Sequence, residues 1–327
     1  MNWASVLGIG DWGISSPLLS TPCPPASSKS QSLINGKFKI VGVTVNMGFE
    51  KRQIDVSGLN IRYLAGGNDD PPLVLLHGVG DSAVDWSWVI PTLGTKHRVI
   101  AVDFPGSGDS AKPKREYSLE FLTEFLADFL NALEIQRAVL VGNSLGGLIA
   151  LRYALSNPER VPALVLVDSM GFSQFVNPIL SNLTLPLYGE LAIAWSKTPL
   201  GAKQRAWSRA ALLFANPLQV PNAWLAEQER LGLVPSFLEA NLSILRSQLY
   251  VLGQKQIALE SLPQLKMPTL VVWGINDLVL PNYQAQDAVS RLRQGHLALI
   301  PNCGHLPQVE RPELFTDALN QFLAYHL

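Results

Sequence analysis

The sequence predicts a doubly wound α/β fold with a mostly parallel sheet, and three features of the chain point to it. From about residue 50, short apolar runs rich in Val, Ile and Leu alternate with longer stretches that have the period of a helix. The apolar runs are continuous, as in strands that a parallel sheet buries on both faces. The stretch 171–262 interrupts this alternation with helical patterning alone, which indicates an insertion between two strands.

Each element of the predicted fold has its own local signal. Two alternating stretches, 53–56 and 60–64, flank Ser57-Gly58 and predict a hairpin. The buried strands are expected at residues 73–76, 98–102, 138–141, 163–167, 269–273 and 297–300. Helices are expected at residues 118–133, 145–155, 283–292 and 312–324. Ser118 is placed to cap the first of these helices.

The chain is expected to comprise four segments. Residues 1–48 predict a flexible extension, because Ser and Pro are dense between positions 15 and 32. Residues 49–170 and 263–327 form the two parts of the α/β core, and 171–262 form a helical cap that prolines divide into short helices. The extension carries apolar residues that could contact a membrane surface or a partner, although a mobile tail is the favoured interpretation: Trp3, Val6, Leu7, Ile9 and Trp12.

Composition excludes several classes of function. The 327 residues are 47% hydrophobic and 16% charged, with a net charge of −1, so no basic surface is expected to attract nucleic acid or anionic lipid. No spacing of His, Cys and carboxylates resembles a metal site, and no disulfide is expected between Cys23 and Cys303. Neither a secretory signal nor an apolar run long enough to span a bilayer is present, which predicts a cytoplasmic protein without a transmembrane segment.

A candidate nucleophile lies between a predicted strand and a predicted helix. Gly142-Asn143-Ser144-Leu145-Gly146 has the form G-x-S-x-G, in which the serine occupies a sharp strand-to-helix turn that exposes its hydroxyl. Small residues at positions 142 and 146 allow the backbone to pass closely through this turn. The alternative, a chance Gly-rich turn, does not require the strand before it and the helix after it.

A serine hydroxyl needs a base to become nucleophilic. His305 lies in the loop 301–305, between the last predicted strand and the terminal helix, where its ring could reach over the edge of the sheet. His97 and His296 precede predicted strands and His326 is the penultimate residue, so none of them has a comparable position. An exposed histidine without a function is the alternative.

The base in turn needs an acid that holds its ring. Asp277 follows the predicted strand 269–273, whose position just before the histidine's own strand favours it. Asp168, at the end of the strand 163–167, is the alternative acid, and an Asx turn is a structural explanation for Asp277. Asp103 also ends a strand, but the Gly-rich turn after it suggests that it shapes that turn.

Two backbone N–H groups are expected to stabilise the oxyanion of the tetrahedral intermediate. One is that of Leu145, directly after the serine, and the other is that of Val79, in the loop that follows the first buried strand. Gly78 is expected to support this loop. His77 precedes the glycines and is expected to brace the loop by hydrogen bonds, not to act as the base.

Together these motifs resemble those of the α/β-hydrolase superfamily over residues 50–327. The matching segments, in the order of the family, are HGVG from residue 77, DFPGSGDS from 103, GNSLGG from 142, WGINDLVLP from 273 and NCGHLPQVERPE from 302. The resemblance implies the order nucleophile, acid, base along the chain, which matches Ser144, Asp277 and His305. It implies no substrate, because one fold hosts many reactions.

Branches of the superfamily are distinguished by smaller features. GNSLGG resembles the carbon–carbon bond hydrolases that cleave aromatic ring-fission products, whereas the short run Gly78-Val79-Gly80 and Leu306 after the histidine depart from that branch. Epoxide hydrolases and haloalkane dehalogenases use an aspartate nucleophile, unlike Ser144. The GNSLGG turn that carries Ser144 and the apolar cap are also similar to those of plant and cyanobacterial hydrolases that remove long prenyl alcohols from pigments.

The sequence therefore predicts a serine hydrolase without a cofactor, acting on a small hydrophobic molecule. Hydrolysis of a carboxylic ester through an acyl-enzyme is the primary hypothesis. Carbon–carbon hydrolysis, perhydrolysis or acyl transfer at the same triad is the second. A hydrolase-fold protein that only binds a ligand is the third. The apolar residues of the cap either line the substrate site or form the cap's own core.

Overall fold

The computed structural model describes residues 37–40, 43–46 and 48–327, and it confirms the predicted α/β architecture. The strands are β1 Lys37–Ile40, β2 Val43–Asn46, β3 Glu50–Val56, β4 Leu59–Gly66, β5 Leu73–Leu76, β6 Val99–Val102, β7 Val139–Asn143, β8 Leu164–Val167, β9 Leu249–Tyr250, β10 Gly253–Gln254, β11 Thr269–Gly274 and β12 Gly295–Ile300. The helices are α1 Ile90–Leu93, α2 Leu119–Ala132, α3 Leu145–Ser156, α4 Pro178–Asn182, α5 Tyr188–Ser196, α6 Pro199–Leu213, α7 Asn222–Leu233, α8 Phe237–Gln248, α9 Tyr283–Arg291, α10 Pro307–Glu310 and α11 Pro312–His326.

Eight of these strands form one sheet in the order β12-β11-β8-β7-β5-β6-β4-β3. Strands β3 and β4 are the predicted hairpin, and β4 pairs antiparallel with β6; the other neighbours run parallel. Strand β5 shows how the sheet is buried, since Leu73 and Leu75 pack in one apolar layer while Val74 and Leu76 pack in the other. Burial on both faces explains why this strand reads as a continuous apolar run.

Strand β12 differs from the prediction in one respect. It begins at Gly295, two residues earlier than the apolar run, and it is not fully buried: Leu297 retains 38% of its exposure. The reason is its place at the edge of the sheet, where it has only β11 as a neighbour. An apolar run alone does not distinguish an edge strand from a central one.

The helices of the core begin where the sequence predicts. The side chain of Ser118 caps α2 by accepting a hydrogen bond from the N–H of Phe121 at 3.2 Å. Helix α3 starts directly after Ser144, and α11 continues two residues beyond the predicted end. The parallel strands all end at the same edge of the sheet. The predicted functional residues lie in the segments that follow these strand ends.

Residues 171–262 lie between β8 and β11 and contain α4 to α8 with the short pair β9–β10, a strand pair that the helical patterning did not predict. Pro178 and Pro199 occupy the first turns of α4 and α6, and Pro221 is the N-cap residue of α7, positions that need no N–H donor. β8 nevertheless pairs directly with β11, so the inserted segment leaves the sheet continuous.

Most of the predicted extension, including its apolar residues and Cys23, lies outside the described residues. Within it, β1 and β2 form an antiparallel pair from Lys37↔Asn46 to Ile40↔Val43, which the prediction of an extension did not include. Cys303 is a buried free thiol. Across the described ranges, no helix combines the length and apolar character that crossing a membrane requires.

Candidate active site

Ser144 occupies the turn between β7 and α3 in a conformation that side chains rarely adopt. Its φ is 54° and its ψ is −115°, and its N–H donates to the carbonyl of Val167 at 2.9 Å. A Cβ on Gly142 would lie 2.3 Å from the carbonyl oxygen of Gly146, and one on Gly146 would lie 2.2 Å from that of Leu76. The backbone segments around Ser144 therefore approach too closely for any residue larger than glycine at positions 142 and 146, and this close packing holds the serine in its strained conformation.

His305 and Asp277 meet at the carboxyl edge of the sheet. The ring Nδ1 of His305 lies 2.7 Å from Oδ2 of Asp277, and both side chains are buried. The other carboxylate oxygen accepts from the N–H groups of Val279 at 2.7 Å and Leu280 at 3.1 Å. Because the carboxylate accepts a hydrogen bond from Nδ1–H, the second ring nitrogen of His305 is the one left to accept a proton.

Asp168, the alternative acid, lies beside this pair. Its carboxylate is fully buried, its Oδ1 accepts from the N–H of Gly274 at 2.9 Å, and its backbone has a φ of 41°. Burial, and then the neighbouring Asp277, raise the pKa of Asp168 well above its usual range. In this geometry the carboxylate that lies at hydrogen-bond distance from His305 is that of Asp277, and Asp168 is a second buried carboxyl group beside it.

In the described part of the chain, one group of side chains comes close enough to chelate an ion: Asp168, Asp277 and His305, whose nearest ligand atoms lie within 4.8 Å of one another. The Nδ1 of His305 already faces Asp277 at hydrogen-bond distance. We interpret the group as an acid–base pair, Asp277 and His305, with a second buried carboxyl group beside it.

The two residues predicted to supply the oxyanion donors, Leu145 and Val79, belong to the nucleophile turn and to the cavity wall. Leu145 is the first residue of α3, so its N–H has no acceptor within the helix. Val79 lines the same cavity as Ser144. Gly78 packs against the nucleophile, since a Cβ there would lie 3.2 Å from the Cβ of Ser144. Both ring nitrogens of His77 form hydrogen bonds. Nδ1 donates to the carbonyl of Gly78 at 2.8 Å, and Nε2 accepts from the N–H of Phe104 at 3.2 Å.

Asp103, set aside as a turn residue, accepts hydrogen bonds from the N–H groups of Ala83 at 2.6 Å and Asp109 at 2.8 Å. It ties the loop after β5 to the turn after β6. Asn143, to which no role was assigned from the sequence, donates to the carbonyls of Val167 at 3.2 Å and His305 at 3.0 Å. It links the nucleophile turn to the loop that carries the base.

A cavity of about 410 Å³ opens over Ser144 and His305, and the inserted segment supplies most of its walls. Its apolar lining includes Met170, Val176, Leu180, Leu183, Ile193, Leu212, Leu245 and Val279. Of the three tryptophans in this segment, Trp195 lines the cavity, Trp224 is buried in the core and Trp207 is exposed. The segment thus both lines a site and contributes to the core.

A group of polar cap residues was missed by the sequence analysis: Arg205, Arg209, Gln228 and Asn241, which contact the loop after β5. The four-residue spacing of Arg205 and Arg209 places both on one face of α6. In a segment otherwise rich in apolar residues, two arginines on one face are a signal of a buried polar partner, but the partner itself could not be inferred.

These features define the class of protein. The family model for the α/β-hydrolase fold matches residues 71–312, and the chain belongs to that family. A 2-hydroxymuconate semialdehyde hydrolase of a Pseudomonas species is 32% identical over 262 residues, covering 77% of this chain and 87% of the relative. A pimeloyl-[acyl-carrier protein] methyl ester esterase of Nitrosomonas europaea is 30% identical over 266 residues, covering 76% and 94%. Among solved structures, a membrane phospholipase A has a TM-score of 0.71 at 28% identity and covers 85% of this chain and 87% of its own.

Proposed function

We propose that this hydrolase cleaves carboxylic esters with a hydrophobic acyl or alcohol part, using Ser144, His305 and Asp277. The observation that carries the proposal is the apolar cavity that contains both Ser144 and His305. Three of its apolar lining side chains are also exposed, and so offer an apolar path from the surface to the nucleophile: Ile179, Tyr188 and Trp195. The esterase and phospholipase among the similar proteins support the same class of substrate.

The geometry supports an acyl-enzyme mechanism. Nε2 of His305 takes the proton of Ser144 Oγ as the oxygen attacks the ester carbonyl, and Asp277 stabilises the imidazolium that forms. The N–H groups of Leu145 and Val79 receive the oxyanion. His305 then protonates the departing alcohol, and a water molecule that His305 deprotonates releases the acid. Apolar cap residues limit the access of other water to the site.

Carbon–carbon hydrolysis is the second candidate, favoured by the semialdehyde hydrolase among the relatives. A second relative is named for a hexadienoic acid substrate, which carries a carboxylate. The two cavity arginines that would suit a carboxylate are already engaged here, since Arg209 bonds Asp81 at 2.6 Å and Arg205 bonds backbone carbonyls. This engagement favours the neutral ester. A cytoplasmic location and a peripheral membrane contact stay predictions.

The proposal is tested by labelling with a fluorophosphonate, followed by a chain-length series of p-nitrophenyl esters. We expect the wild type to be labelled and to turn over medium or long esters, and Ser144→Ala to lose both. Ser156→Ala, at the exposed end of the same helix, is the matched control and should retain both. Labelling with cleavage of a dienoic-acid ring-fission product, but of no ester, would favour the second candidate. A wild type that reacts with none of these reagents would contradict a catalytic role.

A further inference from the structure

Side chains from three helices of the cap form hydrogen bonds with residues 79–81, in the loop that follows β5; we call these residues the oxyanion loop. From α6, Nη2 of Arg209 donates to the carbonyl of Val79 at 3.3 Å and to Oδ1 of Asp81 at 2.6 Å. From the same helix, Nη2 of Arg205 donates to the carbonyl of Gly80 at 3.3 Å. The cap therefore bonds the backbone of the oxyanion loop directly and is not only a cover over the cavity.

Helices α7 and α8 each contribute one further hydrogen bond to this loop. Nε2 of Gln228, in α7, donates to the same oxygen of Asp81 at 2.9 Å. Oδ1 of Asn241, in α8, accepts from the N–H of Gly80 at 2.8 Å. Asp81, Gln228 and Asn241 are all buried, so no water competes freely for these bonds and breaking one leaves a buried polar group unpaired.

The bonds from the core and from the cap fall on successive peptide groups. The peptide that carries the Val79 N–H is held by the core, because His77 donates to the carbonyl of Gly78. The next peptide, between Val79 and Gly80, is held at both ends by the cap, through Arg209 and Asn241. An oxyanion donor must point at the position of the developing charge within a few tenths of an ångström, so a rotation of either peptide would misdirect it.

We propose that Arg209, Gln228 and Asn241 are positioning residues. Through their hydrogen bonds to the oxyanion loop, the cap orients the Val79 N–H for the reaction. The inference rests on the proposed function, because it assigns these residues to the same oxyanion hole. It makes the cap a part of the catalytic machinery as well as of the substrate site. It also gives Arg209 a role distinct from binding a charged group of the substrate.

The test compares the second-order rate constant of fluorophosphonate labelling in the wild type and in Arg209→Met. Labelling forms a bond from Ser144 Oγ to phosphorus and expels fluoride while the phosphoryl oxygen lies in the oxyanion hole, so it needs no knowledge of the natural ester. We expect a fall of about 10- to 100-fold, smaller than the roughly 10²- to 10³-fold loss that follows the complete removal of an oxyanion donor. For neutral p-nitrophenyl esters, kcat should fall by a similar factor at every chain length, and KM should change by less than about threefold.

Arg246→Met is the matched control. Arg246 pairs with Glu190 at 2.6 Å inside the cap and does not contact the oxyanion loop, so its loss should leave labelling and kcat unchanged. If Arg209→Met does not fold, Asn241→Leu carries the same test through the N–H of Gly80. Asp81→Asn combined with Arg209→Met should cost less than the product of the two single effects, because both act through one contact.

Several outcomes would overturn the inference. A folded Arg209→Met that labels at the wild-type rate would show that the cap does not orient the loop. A rise in KM alone, or a loss confined to esters that bear a carboxylate, would assign Arg209 to substrate binding. A wild type that labels at Ser144 but cleaves no ester contradicts the proposed substrate class and leaves the labelling comparison intact. A wild type that does not label at all removes the oxyanion hole and the inference together.

Discussion

Replacing Asp277 by asparagine changes little in shape, but it removes the charge that faces His305. The oxygen Oδ1 accepts two backbone N–H groups, at 2.7 and 3.1 Å, so the amide oxygen of the variant should keep that position. The amide nitrogen then faces Nδ1 of His305. Two donors cannot face each other, so the ring is driven to the tautomer with its proton on Nε2, which cannot accept the proton of Ser144.

The size of the effect follows from the distance between Nδ1 and Oδ2, which is 2.7 Å. Two unit charges at that separation interact by about 6 kcal/mol at an effective dielectric constant of about 20. A fall of about 10⁴-fold in kcat, as seen when a triad aspartate is replaced by asparagine, corresponds to about 5.4 kcal/mol. The two figures agree, and we expect Asp277→Asn to lose about four orders of magnitude in kcat.

Asp168→Asn is the matched control, because it makes the same chemical change next to the same histidine. Burial disfavours the charged form of Asp168 and raises its pKa well above the usual range, and the variant leaves the hydrogen bond between His305 Nδ1 and Asp277 in place. The bond from the N–H of Gly274 can persist to the amide oxygen. We expect kcat to change by less than about threefold. The assay is ester turnover at pH 7 with active sites counted by fluorophosphonate, and an equal loss in both variants would refute the assignment of Asp277 as the acid.

Three further predictions concern stability. Because the pKa of Asp168 is raised in the folded protein, its contribution to the free energy of unfolding is complete below the ordinary carboxyl pKa and is lost as the pH rises through the folded pKa. Asp168→Asn should therefore stabilise the protein more at pH 8 than at pH 5 in urea titrations. An equal difference in stability at the two pH values would contradict this. Gly142→Ala would place its Cβ 2.3 Å from the carbonyl oxygen of Gly146; it should cost about 1–3 kcal/mol in urea titrations and lower turnover, and a wild-type midpoint would argue against the close contact. Ser118→Ala removes a helix cap far from the site, so it should cost about 1 kcal/mol at unchanged kcat, and a loss of turnover would contradict that separation.

Much of the fold could be predicted because its signals are local. A strand such as β5 is apolar at every position since both faces are buried, and Ser118 caps α2 through a contact three residues away. What could not be predicted depends on distant parts of the chain. The partial exposure of β12 follows from its place at the edge of the sheet, and strand order is fixed by packing that no single segment contains.

The same distinction applies to the candidate site. Ser144 was found because its turn imposes glycines two residues away on either side, a rule written in adjacent positions. The choice between Asp168 and Asp277 needed coordinates, since both end neighbouring strands and only Asp277 lies at hydrogen-bond distance from His305. The bond from Arg209 to Asp81 joins residues 128 positions apart, and no local pattern could reveal it.

Direct pairing of β8 with β11 lets the chain leave the sheet and return without disturbing the strands that precede Asp277 and His305. We therefore expect that the insertion can be exchanged between relatives and that the exchange changes the substrate. Exchange has a condition, however. A donor module must bring counterparts of Arg209 and Asn241, or a matching loop after β5 must travel with it. Chimeras that transfer both pieces together should be the productive ones, and those that transfer the helices alone should fold but turn over slowly.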